Sequence, residues 1–245
     1  MNARTTMLAS AIMAAVSGAA SAQSPSTMVY PGGMPPVMDN NIYAHAILEQ
    51  FEDRVGDGQQ FRYDGQGWIG TDLDKLWFKS EGTTGRFGDG DHEILLDRAV
   101  STYFDLQGGV RIDLDDGPTR TWAALGVQGL SLYFFDIEAT GYIGDRGRTA
   151  ARFQGSYDLL LTNRLILQPQ VEINFYGQAD RARQNGSGLS DIDSGLRLRY
   201  EWSRKFAPYI GVTYAGSVGQ ARSLARERGE SAGAAHFTFG LRSWF

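Results

Sequence analysis

The stretch that decides the fold is "AAHFTFGLRSWF", residues 234–245, in which apolar and polar side chains alternate to the end of the sequence. A period of two is typical of a β-strand with one apolar and one polar face. One face carries Phe237, Phe239, Leu241, Ser243 and Phe245. The other carries His236, Thr238, Gly240, Arg242 and Trp244. Because chain termini usually fray in water, this pattern predicts that a neighbouring strand holds the terminus.

The same alternation recurs along the chain from Ile42 onward. In "FDLQGGVRIDL", residues 104–114, Val110 falls on the apolar face and Gln107 on the polar one. Charged side chains recur on the polar faces, which indicates an enclosed, ion-paired interior. We predict about twelve strands, with ten as the alternative, at residues 43–54, 60–70, 74–82, 91–100, 103–115, 119–130, 133–144, 148–161, 164–178, 189–203, 206–218 and 234–245.

The connections between these strands alternate in length. Even-numbered connections are tight, as in "TDL" at 71–73 and "RK" at 204–205, whereas odd-numbered ones are longer or more polar, up to "GQARSLARERGESAG" at 219–233. This layout predicts an all-β fold, an antiparallel outer-membrane β-barrel with periplasmic turns and external loops. An even strand count places both termini on the periplasmic side. The aromatic girdle predicted at the turns consists of Tyr103, Phe104, Tyr133, Phe134, Phe135, Trp202, Phe206, Trp244 and Phe245.

The segment before the barrel divides into two predicted parts. Arg4, the uncharged run at 7–20 and the small residues Ala20 and Ala22 predict a signal peptide over 1–22. Residues 23–41 hold four of the seven prolines and no periodicity, which predicts a flexible, disordered tail before a barrel over 42–245. The sequence has no Cys, so it offers neither a lipoprotein anchor site nor a disulfide. A net charge of −5 gives no basic footprint for nucleic acid.

Methionine is concentrated in the tail. Outside the predicted signal peptide, the only methionines are Met28, Met34 and Met38. Thioethers are soft ligands suited to Cu(I), and neutral imidazole also binds copper. The candidate metal ligands are therefore Met28, Met34, Met38, Asp39, His45, His92 and His236, with structural, hydrogen-bonded roles as the favoured alternative for His92 and His236.

Long blocks of the chain resemble the copper resistance protein B family. They include "MDNNIYAHAILEQFEDR", "DLQGGVRIDLDDGPTRTWAALGVQGL" and "GSGLSDIDSGLRLRYEWSRKFAPYIGV", within a match from about Met38 to Phe245. The resemblance implies an outer-membrane protein that helps to clear copper from the periplasm alongside a periplasmic multicopper oxidase. Members of the family usually carry a longer N-terminal segment rich in Met and His, which here is reduced to three methionines.

Two other functions compete with copper handling. Outer-membrane phospholipases need a Ser and a His together on the lipid-facing side. His236 is predicted to face the lumen, and His92 has no Ser in its own strand or loop, so we expect no enzymatic activity. A structural or adhesive barrel would explain the long loops but not the methionines. The sequence leaves the copper oxidation state, Cu(I) or Cu(II), and the choice between an open and a plugged lumen undecided.

Overall fold

The computed structural model describes residues 41–56, 58–84, 89–114, 117–183, 185–229 and 231–245. Residues 41–245 belong to one compact unit. The predicted signal peptide and nearly all of the predicted tail lie outside the described residues, so their boundaries stay predictions.

The described residues form one antiparallel sheet of thirteen strand segments. They are β1 (Tyr43–Gly56), β2 (Gly58–Gly70), β3 (Asp74–Thr84), β4 (Asp89–Ala99), β5 (Phe104–Asp113), β6 (Arg120–Leu130), β7 (Asp136–Gly144), β8 (Thr149–Ser156), β9 (Leu159–Leu160), β10 (Leu165–Tyr176), β11 (Gly188–Tyr200), β12 (Phe206–Ser217) and β13 (Gly233–Trp244). The two-residue β9 pairs with the same side of β10 as β8 does, so the two segments share one strand position. The prediction of twelve strands is confirmed.

The sheet closes on itself. Strands that are neighbours in sequence pair with each other, except that β8 and β9 both pair with β10, and β13 pairs with β1 to close the sheet. The last residue takes part in this closure, because the Phe245 amide donates to the Ala46 carbonyl at 2.8 Å and the Ala46 amide donates to the Phe245 carbonyl at 3.1 Å. A closed barrel pairs all its strand edges, which lipid-exposed backbone requires. The prediction that a neighbouring strand holds the C-terminal stretch is confirmed.

The two faces of each strand have opposite chemistry, as the alternation predicts. In β5, Gln107 is 1% exposed inside the barrel and Val110 is 45% exposed outside it. In β13, Phe237 and Phe239 face outward while Thr238 is fully buried. The outer surface is therefore apolar and suited to lipid, and the interior is mainly polar, with one buried apolar cluster formed by Leu95, Trp122, Ala124 and Tyr142.

One end of the barrel carries tight turns and the other carries loops. The turns occupy 71–73, 100–103, 131–135, 161–164 and 201–205. At the opposite end the longer connections are 177–187 and 218–232. The first predicted loop is much shorter than expected, because β1 ends at Gly56 and β2 begins at Gly58. We call the two ends the turn end and the loop end.

Two local predictions need correction. The strand predicted over 133–144 begins only at Asp136, because residues Leu132–Phe134 form a 3-10 turn in which Tyr133 and Phe134 have positive φ angles. The connection predicted as a loop over 219–233 contains a helix, α1 (Gly219–Glu227). No helix in the part of the chain that the structure describes has the length and apolar character to span a membrane.

Aromatic side chains are exposed around the turn end. Tyr103, Tyr133, Phe134, Trp202 and Phe245 are each more than 60% exposed. This arrangement matches the girdle expected where a barrel wall meets the membrane interface. Trp244 departs from it, since it shares the inward face with Arg242, whose guanidinium carbon lies 5.4 Å from the indole centroid.

Candidate functional site

The interior holds a cavity of about 490 Å³ that begins at the turn end. Its lining includes the exposed turn residue Tyr103 and the exposed Asp136 at the start of β7. At its inner end the lining includes Asp91 and Arg152. The cavity therefore opens at the turn end and reaches into the middle of the barrel.

Acidic side chains dominate the cavity wall, with nine carboxylates against three basic groups. They come from several different strands, because each inward-facing position of a strand contributes to the lining. Six of the nine lie within salt-bridge distance of a basic side chain: Glu49, Glu81, Asp91, Asp105, Glu138 and Asp158. Among the described residues, the other three, Asp64, Glu93 and Asp136, make no ion pair. These three carboxylates are therefore not neutralised by a salt bridge with a described residue.

A layer of arginines lies at the inner end of the cavity. Arg62 of β2 contacts Glu81 of β3 and Glu172 of β10, both at 3.1 Å. Arg152 of β8 contacts both Glu81 and Asp91 across the interior. These ion pairs join strands from distant parts of the barrel wall and so cross the interior. We call Arg62, Arg152 and their partners the arginine layer.

A second buried cluster has a purely structural character. Glu52 is fully buried and accepts hydrogen bonds from Arg54 at 2.8 Å, from Arg197 at 2.8 Å and from the Tyr209 hydroxyl at 3.0 Å. Arg54 also forms a salt bridge with Asp193, with 2.6 Å between the guanidinium nitrogen and the carboxylate oxygen. Every charge in this cluster has a partner, which is the condition for keeping ions in an interior.

The predicted copper ligands are only partly visible. Met28, Met34, Met38 and Asp39 lie outside the described residues. His45 lies at the start of β1, at the turn end, with its ring centroid 6.2 Å from that of Trp68. Trp68 in turn neighbours Trp77 of the cavity wall, with centroids 6.4 Å apart.

The three histidines do not come together. His236 is 4% exposed on the inward face of β13, as predicted, but its register partner Gly56 places it near the loop end. His92 lies on β4, where its sequence neighbours Asp91 and Glu93 face inward, so His92 faces outward. Within the described residues, no group of three or more His, Asp or Glu side chains has a geometry that could hold a metal ion.

A hydroxyl that sequence reasoning missed lies beside His92. Ser80 Oγ is 2.9 Å from His92 Nδ1, and the two residues are direct register partners on β3 and β4. Searching only the strand and loop of His92 could not find it, because Ser80 lies on the neighbouring strand β3. Among the described side chains, none hydrogen-bonds the other ring nitrogen of His92. The two residues thus form an outward-facing pair that lacks the third group of a catalytic triad.

The loops are tied to one another by ion pairs. Asp180 accepts hydrogen bonds from Arg120 at 2.9 and 3.0 Å, and Arg148 lies 3.9 Å away. Burial opposes the charge of Asp180, but the hydrogen bond and the positive charges of Arg120 and Arg148 outweigh it and lower the pKa of this carboxyl below its usual range. Loop 177–187 also contacts α1, because Gln220 accepts a hydrogen bond from the Ser187 hydroxyl at 2.8 Å.

Comparison with known proteins gives the family. A family model described as copper resistance protein B precursor (CopB) matches residues 42–245. The chain belongs to the copper resistance protein B family. The Copper resistance protein B homolog of Pseudomonas syringae pv. tomato is 46% identical over 212 residues, covering 85% of this chain and 72% of the relative. Copper resistance protein B of Escherichia coli is 43% identical over 232 residues, covering 86% and 78%.

Solved structures support the fold of this copper resistance protein B family member. The NanC porin has a TM-score of 0.53 at 12% identity, covering 82% of this chain and 99% of the porin. The KdgM porin in complex with disordered oligogalacturonate has a TM-score of 0.50 at 11% identity, covering 81% and 98%. At these identities the likeness establishes an outer-membrane-type barrel and carries no information on the ligand.

Proposed function

We propose that this barrel captures copper ions at its turn end and assists their export or sequestration, with the turn end facing the periplasm. Its family supplies the connection to copper resistance. The observation that carries the proposal is the cavity at the turn end, where Asp64, Glu93 and Asp136 make no ion pair with any described residue. Unbalanced charge in a low-dielectric cleft raises the local concentration of cations.

The proposed ligands divide into soft and hard donors. Met28, Met34 and Met38 supply thioethers that suit Cu(I), whereas carboxylates and imidazole also bind Cu(II). Asp39 and His45 stand beside them in sequence, and β1 begins at the turn end. We therefore propose that the methionines and the cavity act from the same side of the barrel.

His92 and His236 are less well placed than His45 to bind copper at the turn end. His92 faces outward and is hydrogen-bonded to Ser80, while His236 is buried near the loop end. Copper from the turn end would meet His236 only after passing the arginine layer. We propose a non-enzymatic role, with outer-membrane lipid around the wall and a periplasmic multicopper oxidase as the partner that the family resemblance implies.

Copper tolerance of cells tests this proposal. In bacteria without their own copy, the variant Met28→Ala/Met34→Ala/Met38→Ala should restore less copper tolerance than the parent, because the soft donors are lost. Heat-modifiable gel mobility should be the same for both proteins, since the substitutions lie outside the barrel strands. Equal tolerance for parent and variant would remove the methionines from the mechanism and reduce that segment to a tether.

A further inference from the structure

Glu93 differs from the other carboxylates of the cavity wall in being buried without a counter-ion. The residue is 3% exposed. Its Oε1 atom accepts a hydrogen bond from the Tyr142 hydroxyl at 2.8 Å. Its Oε2 atom is buried and, among the described residues, has no hydrogen-bond partner. A buried carboxylate oxygen without a partner is costly, so the site lacks a component.

Two basic residues stand directly beside Glu93 and turn away from it. Lys79 and Arg111 are its register partners on β3 and β5. The Lys79 ammonium instead contacts Glu138 at 2.7 Å and Gln107 at 3.0 Å. The Arg111 guanidinium instead contacts Asp91 and, at 2.7 Å, Asp113. Both of these cations are thus engaged with other residues, and Glu93 Oε2 has no counter-ion among the described residues.

A second unpartnered group lies in the same wall. Trp77 Nε1 is buried and, within the described part of the chain, has no acceptor. Both Trp77 and Glu93 line the cavity. On β3 and β4, Trp77 is opposite Leu95 and Lys79 is opposite Glu93, so Trp77 and Glu93 are diagonal neighbours, and a water between them could accept from Trp77 and donate to Glu93. A cation there need not lose its whole water shell.

From these contacts we infer that Glu93 is the seat of a hydrated divalent cation at the inner end of the cavity. The inference rests on the proposed function, for which it names the innermost binding position. One carboxylate with water as the remaining ligands gives weak, reversible binding, which suits an ion that must leave again. Because the cavity opens at the turn end, the ion enters and leaves there.

Manganese binding tests the seat independently of the methionines, because Mn²⁺ prefers oxygen donors to thioethers. The full mature chain, refolded in detergent, is titrated with Mn²⁺, and free ion is followed by electron paramagnetic resonance. Glu93→Gln should weaken binding about tenfold or more through loss of the ligand charge. Asp105→Asn is the matched control, because it removes a carboxylate charge from the same cavity wall. Asp105 is paired with Lys75, and in the variant Lys75 still has Asp97 as a partner. This control should bind nearly as the parent does.

Tryptophan fluorescence gives a second readout that leaves Glu93 intact. Bound Cu²⁺ should quench Trp77, so Trp77→Phe should reduce the amplitude of the saturable quenching, with the neighbouring Trp68 still contributing, while retaining Mn²⁺ binding. If Glu93→Gln binds Mn²⁺ as the parent does, Glu93 does not hold the ion and the seat is refuted. If Glu93→Gln loses Mn²⁺ but retains full copper tolerance in cells, the seat stands and the proposed copper function fails.

Discussion

Glu52 and Glu93 show how two buried glutamates of one barrel take different roles. Glu52 meets two guanidinium groups and a phenol, so its charge is balanced and its position fixed. Among the described residues, Glu93 has only the Tyr142 hydroxyl as a hydrogen-bond partner. Buried ions are stable when they are paired, and an unpaired one draws in a cation, a proton or water. The difference between the two residues lies in their partners, which no single strand sequence reveals.

The inward or outward direction of each residue can be tested on β5. Val110→Arg should impair membrane assembly, because a charge on the lipid face near mid-bilayer costs about 2–4 kcal/mol. Gln107→Arg should be milder, since Gln107 lies among the polar groups Asp97 and Lys79. The fraction of heat-modifiable, folded protein in outer membranes measures both. Greater damage from Gln107→Arg would show that the faces are inverted.

The alternation of apolar and polar residues predicts which side chains point into the barrel and which point outward. The pattern correctly placed Gln107 inside, Val110 outside and His236 in the interior. Alternation cannot identify a partner on another strand, because the partner depends on register and on how distant strands face each other across the lumen. Neither the Ser80–His92 pair nor the unpartnered Oε2 atom of Glu93 could therefore be predicted from the alternation.

The strands were more predictable than their connections. Period two and tight turns place each strand to within a few residues, since one face must be apolar and the other polar. Helix α1 was missed, although Ala221, Leu224 and Ala225 have the spacing of a buried helical face. Aromatic residues favour strands, so the sequence predicts strand at Tyr133 and Phe134. In the structure both residues have positive φ angles and form a turn instead.

The loop ion pairs predict a response to pH. The pKa of Asp180 is lower in the folded loops than its usual value of 3.8. The ionised Asp180 carboxylate therefore stabilises the loops fully above about pH 3.8, and this stabilisation is lost as the pH falls through the lower pKa of the folded state. Amide hydrogen exchange of 177–183, corrected for intrinsic rates, should therefore increase below about pH 3.8, while the strands stay protected. Arg120→Met should move this opening to higher pH. Loops whose protection is the same for parent and variant at every pH would contradict the assigned role of Asp180.

At the scale of the whole molecule, closure of the sheet creates both the apolar wall and the acidic cavity. Pairing of β13 with β1 brings inward positions from all sides into one small lumen, where side chains must balance each other's charge. The arginine layer and the cavity are products of that closure. A charged interior could be predicted from the repeated polar faces, but the division into an arginine layer and a cavity could not.

The proposed function requires that the cavity bind copper through Asp64, Glu93 and Asp136. The most direct measurement is a Cu²⁺ titration of the full mature chain in detergent, comparing the parent with Asp64→Asn/Glu93→Gln/Asp136→Asn. Asp105→Asn serves as the control for a charge that is already paired. The triple variant should lose the barrel's component of Cu²⁺ binding, with a fall in affinity of about tenfold or more, and the control should retain it. Identical titrations for the parent and the triple variant would contradict the claim.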